Sequence, residues 1–259
     1  MGNKGGRVIL IGIIAICGIG MVYYAGDKIR YYFFSGQGQY EGRPTSYWVK
    51  ALGDPDVDKR QKAASYLGLI GSDAKEAVPA LCKVMREDPD EKVRSNAALA
   101  LCHMGPDANE AVPALIDGLK DDFAYVRMNC VRSLAQIGPE ASAAVPALME
   151  AFKDRNNFGM SAAFQFSIRQ QCALALGKIG PAAKEAIPML IEALEDEEIR
   201  TRYEAARALG SMGAEAKDAV PMLIKLLKDK DDQVKENASA ALVKISPSSA
   251  KEAGVKEND

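Results

Sequence analysis

The stretch that decides the fold is PALIDGLKDDFAYVRMNCVRSLAQIG, residues 113–138. It opens with a proline, which is tolerated at a helix start, and Leu115 and Leu119 then lie on one helical face. The acidic turn that begins at Asp121 can cap a second helix. That helix carries a broad apolar face and ends at Gly138, where we expect a left-handed cap. The stretch therefore predicts an antiparallel hairpin with helices of about 8 and about 13 residues.

This pattern recurs along the chain. Each copy ends in a glycine, and successive glycines are separated by 34, 33, 42 and 33 residues. One hairpin cannot bury its own apolar face, so a period near 33 residues indicates a stack of hairpins. We expect an all-α solenoid of about six hairpins. The closing glycines are Gly71, Gly105, Gly138, Gly180 and Gly213.

The charge balance of the chain limits the kinds of molecule that it can bind. The whole chain carries −2, and residues 44–259 hold 28 basic and 33 acidic side chains. Because nucleic-acid binding depends on neutralising phosphates with Lys and Arg, this balance disfavours nucleic acid as a partner. Abundant Ala, Leu, Glu and Lys suit a helical protein.

The five cysteines raise the possibilities of a disulfide framework, a metal site and a nucleophile. The repeat register argues against all three. Cys130 and Cys172 share a column with alanines, Cys102 falls in a column of Gly and Ala, and Cys82 aligns with Ile and Met. Each of the four replaces a small or apolar core residue, as buried free cysteine commonly does.

An uncharged apolar segment of 18 residues runs from Val8 to Ala25 and reaches the minimum length of a transmembrane helix. The aromatic residues near its end suit the headgroup region. We therefore predict a single-pass membrane anchor within residues 1–34. The further expected divisions are a flexible linker at 35–43, a repeat domain at 44–246 and a polar tail at 247–259.

Two alternatives to an uncleaved anchor stay open. Gly18-Ile19-Gly20 offers a signal-peptidase site, although the apolar run continues past it. The residues before Cys17 are similar to a bacterial lipoprotein box, except that Ile16 stands where a small residue belongs. Basic residues flank both ends of the segment, and the positive-inside rule leans toward a cytoplasmic N-terminus. We expect the bacterial inner membrane, with the repeat domain on its outer side.

Two charged columns accompany the repeat. An arginine stands eleven residues before each closing glycine, with Lys235 in the last unit, and an aspartate precedes most of these positions by six residues. The arginines are Arg60, Arg94, Arg127, Arg169 and Arg202, and the aspartates are Asp54, Asp88, Asp121, Asp196 and Asp229, with Asp154 in the odd unit. A solvated charged face is the plain alternative. The fixed spacing favours a ladder of ion pairs within or between units.

On these motifs the chain resembles the HEAT repeat family, in particular its short bilin-lyase-like class, from Pro44 to about Ser246. The resemblance is carried by the Val-Pro-x-Leu starts, the turn aspartates, the apolar-Arg pairs such as Val93-Arg94, and the Ala-Leu-Gly and Ile/Met-Gly ends. Thr201 departs from the apolar-Arg pair.

The opening Thr45–Leu52 also departs from Val-Pro-x-Leu. It looks like an N-terminal cap in which Trp48 covers the first hairpin. Its Ser-Tyr-Trp is similar to the opening of membrane-tethered bacterial HEAT proteins.

The resemblance implies a curved, right-handed superhelix whose second helices line the concave side. Members of such families are mostly scaffolds that hold proteins or peptides, while a minority act in bilin attachment or as iron-dependent hydroxylases. The hydroxylases require several His-Glu pairs, and His103 is the only histidine here. We recognise no Ser-His-Asp or Cys-His set and no glycine-rich phosphate loop.

Four columns of each second helix, which lie 13, 9, 6 and 2 residues before the closing position, form one outward stripe. We call this stripe the second-helix face. Its second column is rich in amides, which both donate and accept, so it could hold the backbone of an extended peptide. An ordinary polar surface is the alternative. The predicted protein-binding residues of the face are Asn96, Leu99, Tyr125, Asn129, Arg132, Gln171, Leu174 and Arg207.

Nine extra residues lie within residues 155–166. Inserted loops of repeat proteins often contact partners. Phe158 and Phe164 either cover the adjacent hairpins or form a docking patch, and we add both to the predicted binding residues.

These observations together predict a membrane-tethered HEAT-repeat scaffold that binds a protein or an extended peptide through its concave face. We expect no enzymatic activity, no cofactor and no metal. An accessory lyase-type protein related to the bilin-attachment proteins is the alternative function, and a purely structural spacer is a third.

Overall fold

The computed structural model describes residues 20–25, 28–33, 39–154 and 168–255. From Thr45 onward the described chain is a helical repeat solenoid of six antiparallel hairpins. The first helices of the hairpins are α1 (Thr45–Ala51), α3 (Val78–Glu87), α5 (Val112–Gly118), α7 (Val145–Lys153), α9 (Ile187–Ala193) and α11 (Val220–Leu226). The second helices are α2 (Val57–Ile70), α4 (Glu91–Met104), α6 (Ala124–Ile137), α8 (Ile168–Ile179), α10 (Ile199–Met212) and α12 (Asp232–Ile245).

The N-terminal segment differs from the predicted transmembrane helix. Gly20–Ala25 (β1) and Lys28–Phe33 (β2) are antiparallel strands, and Val22 lies opposite Tyr31. Aromatic and β-branched residues, which are frequent here, favour strands. Residues 1–19, which carry most of the predicted anchor, lie outside the described part. Among the residues that the structure describes, no helix is both long enough and apolar enough to cross a membrane.

A short strand pair and α1 close the N-terminal end of the solenoid. β3 (Gln39–Tyr40) pairs with β4 (Arg43–Pro44), which leads directly into α1. Trp48 is only 8% exposed, and its ring lies 4.6 Å from that of Tyr66 on α2. The Trp48 indole N–H donates to the carbonyl of Tyr40 at 3.4 Å. The residues that the sequence assigns to a cap therefore form the first helix of the first hairpin, with Trp48 packed against α2.

The second helices form a continuous layer, because each one packs directly against the next. A leucine four residues before the closing position is fully buried in every unit. These leucines are Leu67, Leu101, Leu134, Leu176, Leu209 and Leu242. Since no hairpin can bury such a residue alone, the layer itself is the core of the solenoid.

Small residues set the distance between neighbouring second helices. A Cβ added to Gly177 would lie 2.8 Å from the Cα of Ala208, and one added to Gly210 would lie 2.9 Å from the Cα of Ala241. These distances are shorter than van der Waals contact and involve backbone atoms. The helices therefore approach as closely as their backbones allow in this column. This explains why the first five units carry only Gly, Ala or Cys there, whereas the sixth, against which no further second helix packs among the described residues, carries Val243.

Each hairpin joins the next through a seven-residue 3-10 helix that follows the closing glycine. The sequence predicts the glycine but not this element. Gly138 has a φ of 74° and a ψ of −136°, a conformation that side chains exclude more strictly than the expected left-handed cap. Ala141 and Ala144 follow it and are fully buried, and alanines occupy both positions in all five connectors.

The four described cysteines are buried, free thiols. Cys130 and Cys172 are completely inaccessible, and burial raises the pKa of both thiols. Cys17 lies outside the described residues. Cysteine in these columns therefore acts as a core residue.

The C-terminal segment also differs from the expected tail. Pro247–Glu252 forms a short helix, α13, which packs on α12, and Ala250 is 2% exposed. The Ser246 hydroxyl accepts a hydrogen bond from the backbone N–H of Ser249 at 3.4 Å and so supports the helix start. Within the described chain no further second helix packs on α12, and α13 shields part of that exposed side.

Gly177→Ala tests the backbone contact in the layer. We expect a loss of roughly 1–3 kcal/mol of unfolding free energy, because the new methyl group overpacks against Ala208. Gly53→Ala is the matched control, since its Cβ would lie 3.7 Å from its nearest neighbour, and it should change stability by less than about 0.5 kcal/mol. Urea denaturation followed by circular dichroism measures both. Equal effects of the two substitutions would contradict the close approach.

The buried thiols predict a pH dependence of stability. The native state keeps Cys130 protonated because its pKa is raised, whereas the unfolded thiol ionises near pH 8.5. The unfolded state therefore binds fewer protons above that pH, and stability falls as pH rises, by up to about 1.4 kcal/mol per pH unit for one thiol. Urea midpoints between pH 8 and pH 10 should fall less steeply in Cys130→Ala than in the unchanged protein. Parallel slopes would show that this thiol is accessible or already ionised.

Candidate protein-binding face

The arginine ladder holds consecutive units at a fixed spacing. Arg94 shows the arrangement: its Nη1 donates to the carbonyl of Asp88 in its own unit at 2.9 Å. Its Nε and Nη2 donate to the two carboxylate oxygens of Asp121 in the next unit, at 2.8 and 3.1 Å. The Asp121 hydrogen bond raises the pKa of the Arg94 guanidinium, which is charged at every physiological pH. One side chain thus fixes a turn and an inter-unit contact.

The same bidentate link recurs between Arg60 and Asp88 and between Arg202 and Asp229. Arg169 pairs with Asp196 and donates to the carbonyl of Phe152 at 2.7 Å. Arg127 donates to the carbonyl of Asp121 at 2.7 Å. The ladder therefore links units rather than forming a solvated charged surface.

The ladder aspartates also organise the turns within each hairpin. An oxygen of Asp88 accepts the backbone N–H of Asp90 at 3.0 Å, and the Asp90 side chain in turn caps α4 by accepting from Lys92 and Val93. In the third unit the acidic turn does not provide the helix cap that the sequence predicts. Phe123 is the residue before α6, so the turn acids do not cap that helix, and Asp121 accepts from the Phe123 N–H instead.

Arg94→Ala tests the ladder. Removing it leaves the Asp121 carboxylate, 13% exposed, without its bidentate partner, and we expect a loss of about 2–3 kcal/mol of unfolding free energy. Arg86→Ala is the matched control, because the Arg86–Asp117 pair is 42% and 63% exposed and should contribute less than about 1 kcal/mol. Chemical denaturation at low salt compares them. A ladder variant no less stable than the control would refute the structural role.

The second-helix face is exposed along three of its four columns. Tyr125 is 45% exposed, Arg132 and Arg207 are exposed, and Leu99 and Leu174 are half-buried. All of these side chains project from helices whose opposite sides form the fully buried layer. The face therefore combines accessible, chemically varied side chains with a rigid support.

The amide column does not form the expected open ladder. Asn129 is 8% exposed, and its Nδ2 donates to the backbone carbonyl and the hydroxyl of Ser95, both at 3.1 Å. Asn96 donates to the carbonyl of Gln61 at 3.4 Å, and Asn237 donates within its own helix. At Asn96 and Asn129 this column lies between neighbouring second helices, so two of its four amide groups link consecutive units. Gln171 is half-buried.

A depression of about 180 Å³ lies on this face across α8, α10 and α12. Its floor is small residues, and its charged residues are Lys178, Glu204, Arg207 and Lys244, beside Leu174. Glu204 is 7% exposed, and burial raises the pKa of its carboxyl group although Arg207 opposes that shift. Arg207 Nε donates to Glu204 at 2.8 Å. Lys178 and Lys244 are functional candidates that the predicted set of binding residues omits. Both stand in the column two residues before the closing position, and adding up the charges of the side chains in each column would have identified them.

A second, wider depression of about 630 Å³ separates the first helices α5 and α7. Its apolar floor includes Ile116, Leu119 and Ala147, and its rim includes Asp121 and Arg127. Both rim residues belong to the ladder, so this depression is part of the inter-unit joint. Phe158 and Phe164, the other predicted binding residues, lie outside the described part of the chain.

Family and fold comparisons agree on the repeat. The family model described as HEAT repeats matches residues 45–122, 78–167 and 159–243. No curated protein sequence is significantly similar to the chain.

Among solved structures, a designed armadillo repeat protein in complex with the peptide (KR)4 is similar at a TM-score of 0.63 and 21% identity, covering 79% of this chain and 100% of that one. The complex of CpcE and CpcF of phycocyanin lyase from Nostoc sp. PCC7120 is similar at a TM-score of 0.58 and 27% identity, covering 82% and 80%. An engineered protein gives a TM-score of 0.62 at 24% identity, covering 79% and 99%.

The matched repeats coincide with the hairpins, the ladder and the layer of second helices. Since they span most of the sequence, the chain belongs to the HEAT repeat family.

Proposed function

We propose that this protein is a scaffold that binds an extended segment of another protein along its second-helix face. The observation that carries the proposal is the exposure of varied side chains, Tyr125 and Arg132 among them, on helices held rigidly by the buried layer and the ladder. A preorganised surface loses little conformational entropy on binding, which favours affinity for a flexible partner. The fold likeness to a designed armadillo protein in complex with a peptide is consistent with this use.

Protein binding without catalysis is part of the proposal. Within the described residues, no group of three or more His, Cys, Asp or Glu side chains is arranged to hold a metal ion. The described cysteines are buried, and a raised pKa at Cys130 and Cys172 disfavours the thiolate that a nucleophile requires.

An accessory lyase-type role is the second candidate, because the similar structure of CpcE and CpcF belongs to a phycocyanin lyase. Its test is the formation of a coloured adduct on a bilin-accepting protein in the presence of the chain. A rate that does not depend on the chain would remove this candidate.

Membrane attachment through the N-terminal segment, residues 1–34, completes the proposal. It rests on the apolar sequence from Val8 to Ala25 and not on a membrane-spanning helix. The full-length chain should stay with membranes under alkaline extraction, and deleting residues 1–34 should release it. Release of the full-length chain would contradict the attachment.

The binding role is tested by proximity crosslinking of the full-length protein in its own cells. The test variant combines Tyr125→Ala with Arg132→Glu, which changes two exposed positions of the face. The matched control combines Ile224→Ala with Lys83→Glu, because Ile224 is 38% exposed and both residues lie on first helices. We expect a partner to lose at least 80% of its crosslinking yield in the test variant alone, about 1 kcal/mol of binding.

Equal partner yields in all three proteins would contradict binding through the second-helix face. Thermal denaturation of each variant shows whether the substitutions leave the fold intact, since exposed positions away from the ladder should change stability little.

A further inference from the structure

We propose that the segment bound by the second-helix face is acidic, with its main contacts at Lys178, Arg207 and Lys244 in the C-terminal half of the solenoid. This inference rests on the proposed function and specifies the chemistry of the partner.

The first support is a segregation of charge. The second-helix face carries seven basic residues and two acidic ones, a net charge of +5. The remaining residues from 44 onward carry 21 basic and 31 acidic side chains, a net charge of −10. The basic residues of the face are Lys62, Lys92, Arg132, Lys178, Arg200, Arg207 and Lys244, and the acidic ones are Asp58 and Glu204. One face of an otherwise acidic protein is thus positive along its length.

The second support is that these cations are available. Among the described residues, Lys178, Lys244 and Arg132 form no ion pair, in contrast to the ladder arginines, which are held by carboxylates. Arg207 pairs with Glu204 of its own helix but keeps 44% of its side chain exposed. Unpaired cations on a rigid face attract an oppositely charged partner and accelerate its association.

The third support is the depression that joins Lys178, Arg207 and Lys244 across three consecutive second helices. Its volume of about 180 Å³ is below the range of about 300–1,000 Å³ that is usual for small-molecule sites. It suits one side chain of a bound peptide better than a cofactor. Leu174 on its wall adds an apolar contact beside the cations.

The surroundings favour a peptide over nucleic acid. A nucleic acid carries a charge on every nucleotide and would run past the acidic turns that edge the face, including Asp90, Asp122 and Asp231. A short acidic segment places a few carboxylates over the basic columns and leaves the edges free. The net charge of the second-helix face is positive, so it would repel a basic peptide.

The test is a selection of random dodecapeptides on the full-length protein, because it assumes no partner sequence. We expect the enriched peptides to have a negative mean net charge. A representative enriched peptide should then bind at least fivefold more weakly to Lys178→Glu/Lys244→Glu, and its affinity should fall as salt rises. The matched control is Lys83→Glu/Lys184→Glu, which makes the same charge change at exposed positions away from the face and should bind within twofold of the unchanged protein.

The outcomes separate the two proposals. Enrichment of neutral or basic peptides that Tyr125→Ala/Arg132→Glu abolishes would overturn the acidic preference and leave the proposed function standing. Enrichment of acidic peptides with equal losses in both lysine variants would also overturn it, because a general charge effect would then explain binding. Tighter binding of an oligothymidylate than of any enriched peptide, sensitive to the same lysines, would assign the face to nucleic acid. Absence of any enrichment would contradict the proposed function itself.

Discussion

The contact between neighbouring second helices is the constraint on which the other features depend. Gly177 and Gly210 allow two helix backbones to meet at a distance that a methyl group would prevent. The leucine column is fully buried because of this approach, and each unit obtains its core from its neighbour. The spacing of the units, and hence of every side chain on the exposed side of the layer, follows from a contact between the smallest residues in the protein.

Polar interactions fix the relative position of neighbouring hairpins, which apolar packing in the layer does not determine by itself. Apolar packing has little directional preference, so a layer of leucines and alanines alone would allow neighbouring hairpins to slide. The bidentate contact from Arg94 to Asp121 is directional, and the same guanidinium holds the carbonyl of Asp88. The ladder stands at one end of the second helices and the 3-10 connectors at the other. Between these two supports, the exposed positions in the middle of each second helix can differ in residue type from one unit to the next.

The repeat could be predicted from sequence because its markers are local. Proline, glycine and a leucine column each have one physical meaning at a fixed spacing, and the helix bounds follow them closely. The partners of Arg94 and Asn129 could not be predicted in the same way, because both contacts cross from one unit to the next. The period shows that an arginine column and an aspartate column exist, but the stacking distance decides that they meet. The same distance places Asn129 against Ser95, where its amide is used within the protein. The short connectors and α13 escaped prediction because seven or fewer residues carry too little periodicity to identify a helix type.

The ladder gives the solenoid a direction, because the pairs of Arg60, Arg94, Arg169 and Arg202 each take the donor from one unit and the carboxylate from the next. The two ends are therefore unlike: Asp54 pairs with Lys59 in its own unit, and Lys235 pairs with Asp232 in its own unit. A hairpin unit added between the two ends by tandem duplication would carry one ladder arginine and one ladder aspartate. Its arginine would pair with the aspartate of the following unit, and its aspartate would accept from the arginine of the preceding unit. Such an array can grow or shrink by whole modules during evolution without a new interface having to arise, and the length of its exposed face changes in the same steps.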